Sequence, residues 1–300
     1  MIKKKYKPFV FLIIGVGFIF SFYAASKLYK KYTYYKINKE WRVNFPEQIK
    51  HIDKLPNPDS LYIFIMAGQS NMAGRGFVEP QDTIPDKRIL TIDKSMNWIY
   101  AKEPLNFHEP SLTGLDCGVS FAKEILDSIP KGIKVALITC AVGNSSIEQW
   151  LYNDKHRGVK LLDNFKNKVK FAKKHGIIKG ILWHQGESDA KSNLIPRYSQ
   201  RLDSLIITFR SIVNNDSLPI ILGELGSYAE PKDMQDKWDS INSIMHNIAN
   251  NHHHISVVKT NDLKDKGDKL HFNSESQRKL GERYAKHYFE TTMSAGDSQY

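Results

Sequence analysis

The sequence predicts an α/β domain built on a doubly wound parallel sheet, with helices on both faces in three layers. Two features of the chain after residue 60 predict this class. Short apolar runs alternate with longer segments of helical periodicity, which is typical of parallel strands joined by helices. Most of the apolar runs are continuous rather than alternating, as expected for strands that are covered on both faces.

The elements follow one another along the chain in a regular order. Strands are predicted at 61–67, 89–92, 135–140, 177–183, 219–223 and 255–258. Helices are predicted at 119–128, 159–174, 196–214, 232–250 and 274–291. The second helix shows the spacing well, because its apolar residues fall on one stripe: Leu162, Phe165, Val169 and Ala172.

The N-terminus carries a targeting pattern. A basic flank at 1–8 precedes an uncharged, largely apolar run at 9–26, and a polar stalk or linker follows at 27–58. The run is close to the minimum length of a spanning helix and longer than most signal-peptide cores. We therefore expect an uncleaved transmembrane signal-anchor, with a removed signal peptide as the alternative. Either reading places the domain outside the cytoplasm, in the periplasm or the extracellular space.

The positive charge is concentrated in this N-terminal part. Residues 1–40 contain nine of the 43 basic residues and one of the 32 acidic residues, so they carry +8 of the net +11. Nucleic-acid binding is not supported, because a domain that binds nucleic acid concentrates its charge on the folded unit. We expect that folded unit to span 59–292, followed by a short tail at 293–300.

The two cysteines, Cys117 and Cys140, admit two interpretations. An exported chain can join them in a disulfide, whereas two small buried residues are the simpler interpretation and the one we favour.

A serine, an aspartate and a histidine stand in positions that suit nucleophilic catalysis. Ser70 follows the first predicted strand in the segment Gly68-Gln-Ser-Asn71, and Asp268-x-x-His271 lies near the C-terminus. These are the three groups that activate a hydroxyl nucleophile. We expect a helix to begin at Ser70, with backbone N–H groups able to stabilise an oxyanion. Alternatives are a serine that only caps the helix and a solvated Asp beside an incidental His.

Three segments rich in small and polar residues follow strands of the predicted sheet. They are 68–71, 143–146 and 184–187. Ligands of such sheets bind beyond the carboxyl ends of the strands, so the three segments are expected to meet at one site.

The segments 64–72 (FIMAGQSNM) and 183–189 (WHQGESD) resemble signatures of the SGNH hydrolase superfamily. They are most similar to the branch that contains sialate O-acetylesterases and family 6 carbohydrate esterases. Segments 98–105, 118–122 and 140–150 fit the same branch, and the resemblance covers roughly 61–288. It implies a flavodoxin-like SGNH fold and a serine esterase that removes O-acetyl groups from sialic acid, xylan or bacterial polysaccharide. It implies an acetyl-serine intermediate and neither cofactor nor metal.

By this resemblance, Ser70 is the nucleophile, His271 the general base and Asp268 the residue that orients the base. The oxyanion hole comprises the N–H groups of Ser70 and Gly118 and the side chain of Gln185. Gln185 stands where the wider superfamily has Asn. The Gly-Pro-Gly that many relatives carry before Gly118 is absent, since the chain has Gly-Leu-Asp-Cys at 114–117.

Further candidates surround these residues. Gln69 and Asn71 are expected to join loops, although Asn71 can also approach substrate. Gly143 and Ser145 are expected to shape the acyl or sugar pocket, and Glu187 either to brace its loop or to hydrogen-bond within the site. Two tryptophans, Trp98 and Trp150, suit a sugar-stacking wall and ordinary packing equally well. The triple histidine at 252–254 fits a solvated loop better than a metal site, because consecutive histidines do not share one face.

Two rival functions remain open at this stage. One is an esterase or acyltransferase that acts on another acyl group. The other is a non-catalytic, glycan-binding envelope protein that retains the hydrolase fold, which the intact Ser70, Gln185, Asp268 and His271 argue against. The sequence specifies neither the sugar nor the oligomeric state.

Overall fold

The computed structural model describes residues 17, 20–29, 31–32 and 50–293. Residues 20–29 and 31–32 are helical. Within these described ranges, no helix is both long and apolar enough to cross a membrane. The basic flank, more than half of the run predicted to span the membrane, much of the stalk and the tail after Met293 lie outside the described residues.

Residues 50–293 belong to one compact unit, which contains a seven-stranded sheet. In chain order the strands of the domain are β1 (Leu61–Gly68), β2 (Ile89–Ile92), β3 (Trp98–Tyr100), β4 (Lys134–Thr139), β5 (Lys155–His156), β6 (Val159–Lys160), β7 (Ile177–His184), β8 (Ile220–Gly223) and β9 (Ile255–Val258). The sheet order is β3-β2-β4-β1-β7-β8-β9, and β5 and β6 form a separate hairpin. Every neighbouring pair in the sheet is parallel except β2–β3.

The helices are α1 (Gly118–Ser128), α2 (Ile147–Leu151), α3 (Leu161–Ala172), α4 (Ile195–Val213), α5 (Lys232–Asn251) and α6 (Ser274–Met293). The six predicted strands and five predicted helices are present, and each helix ends within two residues of the predicted position. The predicted α/β class with a mostly parallel sheet is confirmed. The sequence analysis missed β3, the β5–β6 hairpin and α2, all of which are five residues or shorter.

Side chains of β1 alternate between two hydrophobic cores, one on each face of the sheet. Ile63 and Ile65 belong to the core that also contains residues of α3, α4 and α5. Phe64 and Met66 belong to the core shared with α1 and α6. Because helices cover both faces of the sheet, the sequence of β1 is a continuous apolar run. Polar residues follow only after its carboxyl end.

The position of β1 in the sheet determines where a site can form. Its neighbours are β4 on one side and β7 on the other, so the chain changes direction across the sheet at β1. The loops that follow these three strands therefore meet at one rim, which is where ligands bind in open α/β sheets.

Both cysteines are free and fully buried. Burial raises the pKa of Cys140 to about 11 and that of Cys117 well above its ordinary value. The interpretation of two small buried residues therefore describes them correctly.

The close contact between α1 and α6 generates a stability prediction at Gly281. A Cβ atom at Gly281 would lie 2.3 Å from the carbonyl oxygen of Cys117 and 2.7 Å from the amide nitrogen of Phe121. Alanine ordinarily favours a helix interior over glycine by about 1 kcal/mol, but here backbone atoms occupy the space. We expect Gly281→Ala to lower the free energy of unfolding by roughly 1–3 kcal/mol. Chemical denaturation measures this, with Gly132→Ala as the control, since nothing lies within 4 Å of a Cβ there. Unchanged or increased stability of Gly281→Ala would contradict the close packing.

Candidate active site

The nucleophile candidate is placed by a tight approach between β1 and β7. Gly68 has φ +137°, and a Cβ atom there would lie 2.1 Å from the carbonyl oxygen of His184, so only glycine fits. The Gln69 N–H donates to that same oxygen at 2.9 Å, and the Ala73 N–H donates to the Gln69 carbonyl at 2.8 Å. Ser70 therefore begins a single turn at the carboxyl end of the central strand.

The prediction that a helix begins at Ser70 was wrong. Residues 70–73 form one turn, which ends at Gly74 with φ +84°. The Gly74 carbonyl accepts instead from the Gly114 N–H at 3.0 Å, which directs the chain away from a helix. Within the described part of the chain, no group accepts a hydrogen bond from the Ser70 N–H. This N–H is therefore free to donate to negative charge that develops beside the hydroxyl.

The histidine and aspartate candidates lie in a tight loop before α6. The Lys266 N–H donates to the His271 carbonyl at 2.9 Å, so the loop closes on itself. Within it, Asp268 Oδ1 accepts from the backbone N–H groups of Leu270 at 3.1 Å and His271 at 2.8 Å. The Asp-x-x-His spacing thus allows the carboxylate to hold both the backbone and the ring of the same histidine.

The structure brings Ser70, His271 and Asp268 into one hydrogen-bonded chain. Ser70 Oγ lies 3.0 Å from His271 Nε2, and His271 Nδ1 lies 2.7 Å from Asp268 Oδ2. Because a carboxylate accepts, Nδ1–H donates to Asp268 and Nε2 is left to accept the serine proton. This is the geometry of a hydroxyl activated by a general base with an orienting carboxylate.

The pKa values of the two ionisable members suit those positions. Burial opposes the ionisation of Asp268, but its hydrogen bonds from His271 and the nearby positive charges outweigh burial, and its pKa is lowered to about 2. Burial lowers the pKa of His271, and Asp268 offsets this only in part. His271 is therefore neutral at neutral pH. Activity that depends on a neutral imidazole is present above this lowered pKa and is lost as the pH falls through it.

Asn71, next to the nucleophile, joins three loops. Its Nδ2 donates to Glu187 Oε1 at 2.8 Å and approaches the Leu270 carbonyl at 3.3 Å, while its Oδ1 accepts from the Phe272 N–H at 3.1 Å. Its own carbonyl accepts from Gln277 Nε2 at 3.0 Å. The side chain is committed to the protein, in line with the expectation that it joins loops.

Glu187 braces the Ser70 turn and makes no hydrogen bond with His271. Its Oε1 accepts from Asn71, whereas Oε2 is buried and has no hydrogen-bond partner among the described residues. Burial raises the pKa of Glu187 to about 7. Neighbouring His184 donates from Nε2 to the Glu224 carbonyl at 2.9 Å, and burial lowers its pKa to about 4.

Gln185 is fully buried, and its amide group is bonded to the protein. Its Nε2 donates to the Ser145 carbonyl at 3.1 Å and to Asp189 Oδ2 at 2.5 Å, and lies 3.3 Å from Gln69 Oε1. Its Oε1 accepts from the Tyr198 hydroxyl at 3.2 Å. A role as oxyanion donor stays a prediction, and it requires the amide to exchange one of these partners for a substrate oxygen. Gln69 joins loops, as expected.

Gly118 begins α1 and packs against β1. Its N–H donates to Asp116 Oδ1 at 2.7 Å, and a Cβ atom would lie 2.7 Å from the Met66 sulfur. The glycine is therefore required for close packing, and its N–H is occupied. Its role in the oxyanion hole stays a prediction.

The two residues expected to shape a pocket are engaged in internal contacts. The Gly143 N–H donates to Glu109 Oε2 at 2.6 Å, and a Cβ atom there would lie 2.2 Å from Arg75 Nη2. Ser145 is fully buried, and its Oγ accepts from Trp150 Nε1 at 3.0 Å. Ser145 thus lies on the core side of its loop, because its hydroxyl accepts a hydrogen bond from the buried Trp150 and does not face solvent.

Of the two interpretations open for the tryptophans, ordinary packing is the one that describes Trp150. Trp150 is fully buried, with its ring centroid 5.5 Å from that of Trp183 and 6.0 Å from that of Phe209. Trp98 lies in β3 at the sheet edge, three strands from β1, and packs on Phe171. Packing therefore explains both rings.

Sequence reasoning missed a charged cluster behind Gly143. Glu109 accepts from Arg75 Nη2 at 2.9 Å, from the Gly143 N–H, and from Arg157 at the tip of the β5–β6 hairpin. Glu109 and Arg75 are buried, whereas 37% of the Arg157 side chain is exposed. Two guanidinium groups thus face one carboxylate, with the excess positive charge at the surface. These residues lie in separate loops and form no sequence motif. The basic residues of the hairpin are the one feature of the sequence that could have indicated the cluster.

No group of three or more His, Cys, Asp or Glu side chains within the described ranges is arranged to hold a metal ion. In the triple histidine, His252 Nε2 lies 2.9 Å from Asp203 Oδ1.

Comparison with known proteins identifies the family. A family model described as carbohydrate esterase, sialic acid-specific acetylesterase, matches residues 60–290. The chain belongs to this family. A probable carbohydrate esterase of Arabidopsis thaliana is 30% identical over 250 residues, covering 75% of this chain and 89% of the relative. The resemblance inferred from the two signature segments is confirmed.

Solved structures agree with this family of carbohydrate esterases. The crystal structure of the Arabidopsis thaliana protein superimposes with a TM-score of 0.67 at 28% identity, covering 78% of this chain and 99% of that one. NanS superimposes with a TM-score of 0.63 at 16% identity, covering 79% and 98%. A carbohydrate acetylesterase from Xanthomonas citri gives 0.56 at 16%, covering 77% of this chain and 56% of that one. The last two show the shared fold.

The chain is therefore a carboxylic ester hydrolase of the carbohydrate esterase class, and the expected activity of carbohydrate O-deacetylation is confirmed.

Proposed function

We propose that this carbohydrate acetylesterase works through an acetyl-serine intermediate formed on Ser70. Ser70 Oγ attacks the acetyl carbonyl carbon while His271 Nε2 takes the hydroxyl proton. The tetrahedral intermediate collapses, the C–O bond to the sugar breaks, and the sugar oxygen takes the proton from His271. Water then gives a proton to His271 and attacks the acetyl-serine, which releases acetate and restores Ser70.

The observation that carries this proposal is the continuous hydrogen-bond chain from Ser70 Oγ through His271 to Asp268, with links of 3.0 and 2.7 Å. Asp268, with its pKa lowered to about 2, remains ionised and stabilises the imidazolium that forms in each half-reaction. The free Ser70 N–H supplies one donor to the oxyanion.

Among sialic acid, xylan and bacterial polysaccharide, we propose that the preferred substrate is an acetylated sugar that carries a carboxylate. The excess positive charge of the Arg75–Glu109–Arg157 cluster reaches the surface at Arg157. The hairpin that presents Arg157 is fixed to the site, because His156 Nε2 donates to the Gly143 carbonyl at 2.9 Å. The family model is described as sialic acid-specific, and sialic acid carries such a group.

We also propose that the domain works outside the cytoplasm and is held at the membrane by the N-terminal run. The support is the sequence alone, with lysines on both sides of an uncharged stretch at 9–26.

Replacement of the nucleophile tests the mechanism. Ser70→Ala removes the attacking oxygen, so we expect acetate release from acetylated glycans and from 4-nitrophenyl acetate to fall about a thousandfold or more. Ser204→Ala, at an exposed helical serine, is the control. Near-normal activity in a folded Ser70→Ala protein would overturn the assignment. Transfer of acetyl to a sugar hydroxyl in place of acetate release would identify an acyltransferase, and binding of glycan without turnover by the unmodified protein would identify a non-catalytic protein.

A matched pair of substrates tests the carboxylate preference. We expect kcat/KM for an O-acetylated sialic acid to exceed that for its methyl ester roughly tenfold, since a hydrogen bond to a charged group contributes about 1.5–3 kcal/mol. Arg157→Gln should remove this preference and leave the methyl ester rate nearly unchanged. Lys160→Gln, an exposed lysine of the same hairpin, should preserve it. Equal rates for the two substrates with the unmodified protein would contradict the proposal.

Cell fractionation tests the anchor. We expect the full chain in the membrane fraction, released by detergent but retained in high salt, and a chain lacking residues 1–26 in the soluble fraction. Recovery of a soluble chain that begins after residue 26 would favour the removed signal peptide instead.

A further inference from the structure

Lys266 is a largely buried cation that lies directly behind the triad. Its side chain is 10% exposed, and its Nζ donates to the Arg75 carbonyl at 2.9 Å. The same Nζ lies 3.6 Å from Asp268 Oδ2 and 5.9 Å from the ring centroid of Phe77. Asp268 Oδ2 is also the oxygen that accepts Nδ1–H from His271. One carboxylate oxygen therefore lies between the imidazole and the ammonium group.

Burial of an ammonium group carries a large desolvation cost. A lysine that only joined two loops by a hydrogen bond would not need to be buried. Burial lowers the pKa of Lys266, and the charge of Asp268 opposes that change. Lys264, in the same segment, is exposed to solvent, which is the ordinary position of a loop lysine. The contact of Lys266 with Asp268 Oδ2 gives it an electrostatic path to the base that a solvated lysine lacks.

We propose that Lys266 is a positioning residue that keeps His271 neutral and aligned for the reaction, through the Asp268 oxygen that both groups contact. This inference rests on the proposed function of the site. The ammonium group withdraws part of the carboxylate charge from the imidazole, so that His271 holds a proton less readily. Its bond to the Arg75 carbonyl also ties the histidine loop to the chain just after the Ser70 turn.

The other charged groups near His271 do not replace this effect. Burial is the first cause that lowers the pKa of His271, Lys266 and Arg75 lower it further, and Asp268 raises it. The Arg75 guanidinium is already bonded to Glu109. Burial raises the pKa values of Tyr228 and Glu187, so both are kept uncharged in part or in full. Two further charged groups of the loop have partners of their own: Asp265 Oδ2 accepts from the backbone N–H groups of Gly267 and Lys269, and Lys269 Nζ lies 3.2 Å from Glu230 Oε1. Within the described part of the chain, Lys266 is thus the basic side chain that forms an ion pair with the aspartate of the triad.

The pH dependence of kcat/KM for 4-nitrophenyl acetate, an uncharged substrate, tests the inference. Lys266→Gln keeps a donor for the Arg75 carbonyl but removes the charge. Without the cation, His271 holds its proton more tightly, so its pKa rises and the acid limb of the profile moves to higher pH. We expect a shift of about 0.5–1 pH unit, with a loss of roughly three- to tenfold in kcat/KM on the acid side. Lys266→Arg keeps the positive charge, so its acid limb should lie at the same pH as that of the unmodified protein.

Lys264→Gln removes an equal charge from an exposed position of the same loop and should leave the limb in place. An unmoved limb in a folded, active Lys266→Gln protein, or an equal shift in Lys264→Gln, would overturn the inference. Lys266→Met, which keeps the buried aliphatic volume, replaces Lys266→Gln if the latter does not fold. Absence of turnover in the unmodified protein would instead count against the proposed function, and NMR titration of the His271 ring in the same variants then measures the shift directly.

Discussion

The active site depends on the hydrogen bonds of one side-chain amide, that of Asn71. The nucleophile and the base belong to loops 201 residues apart, and Asn71 and Phe272, the immediate neighbours of each, are bonded to one another. Because this hydrogen bond lies one residue from both Ser70 and His271, it restricts changes in the distance between Ser70 Oγ and His271 Nε2. The third loop joins through Glu187, so one amide links the segments that carry Ser70, Glu187 and His271. Reactivity in hydrolases of this kind requires reacting groups held within a fraction of an ångström, which loops alone do not provide.

The electrostatics of the site rest on two carboxyl groups in different surroundings, with Asp268 partly exposed and Glu187 buried. Asp268 receives N–H bonds and lies near a cation, so its pKa is lowered to about 2. Glu187 accepts from the neutral amide of Asn71, and burial raises its pKa to about 7. The difference follows both from their partners and from their exposure, since Asp268 keeps contact with water and Glu187 does not. The carboxylate that keeps its charge is the one placed to stabilise an imidazolium, and the other serves to hold the turn.

The fold could be predicted because the strands of this sheet are buried on both faces and the helices cover it with regular apolar stripes. The turn at Ser70 could not, because it is ended by the backbone geometry of Gly74 and a bond to Gly114, forty residues away. The triad could be predicted from the sequence because Asp268 and His271 are close in sequence and Ser70 follows a strand. The burial of Ser145 and Trp150 could not be predicted, since a short segment after a strand does not reveal which side chains turn into the core. The cluster around Glu109 depends on contacts between distant loops and leaves no local pattern.

The two halves of the triad come from opposite ends of the folded domain, with Ser70 at the end of its first strand and His271 just before its last helix. A ribosome therefore makes the nucleophile early in the domain and the base among the last segments of the domain. The nascent chain carries no assembled esterase until the last helix can pack on α1 and close the loop before it. Premature termination before His271 yields a protein without a base, and acetyl esters meet the complete hydrolase only after the whole domain has been synthesised.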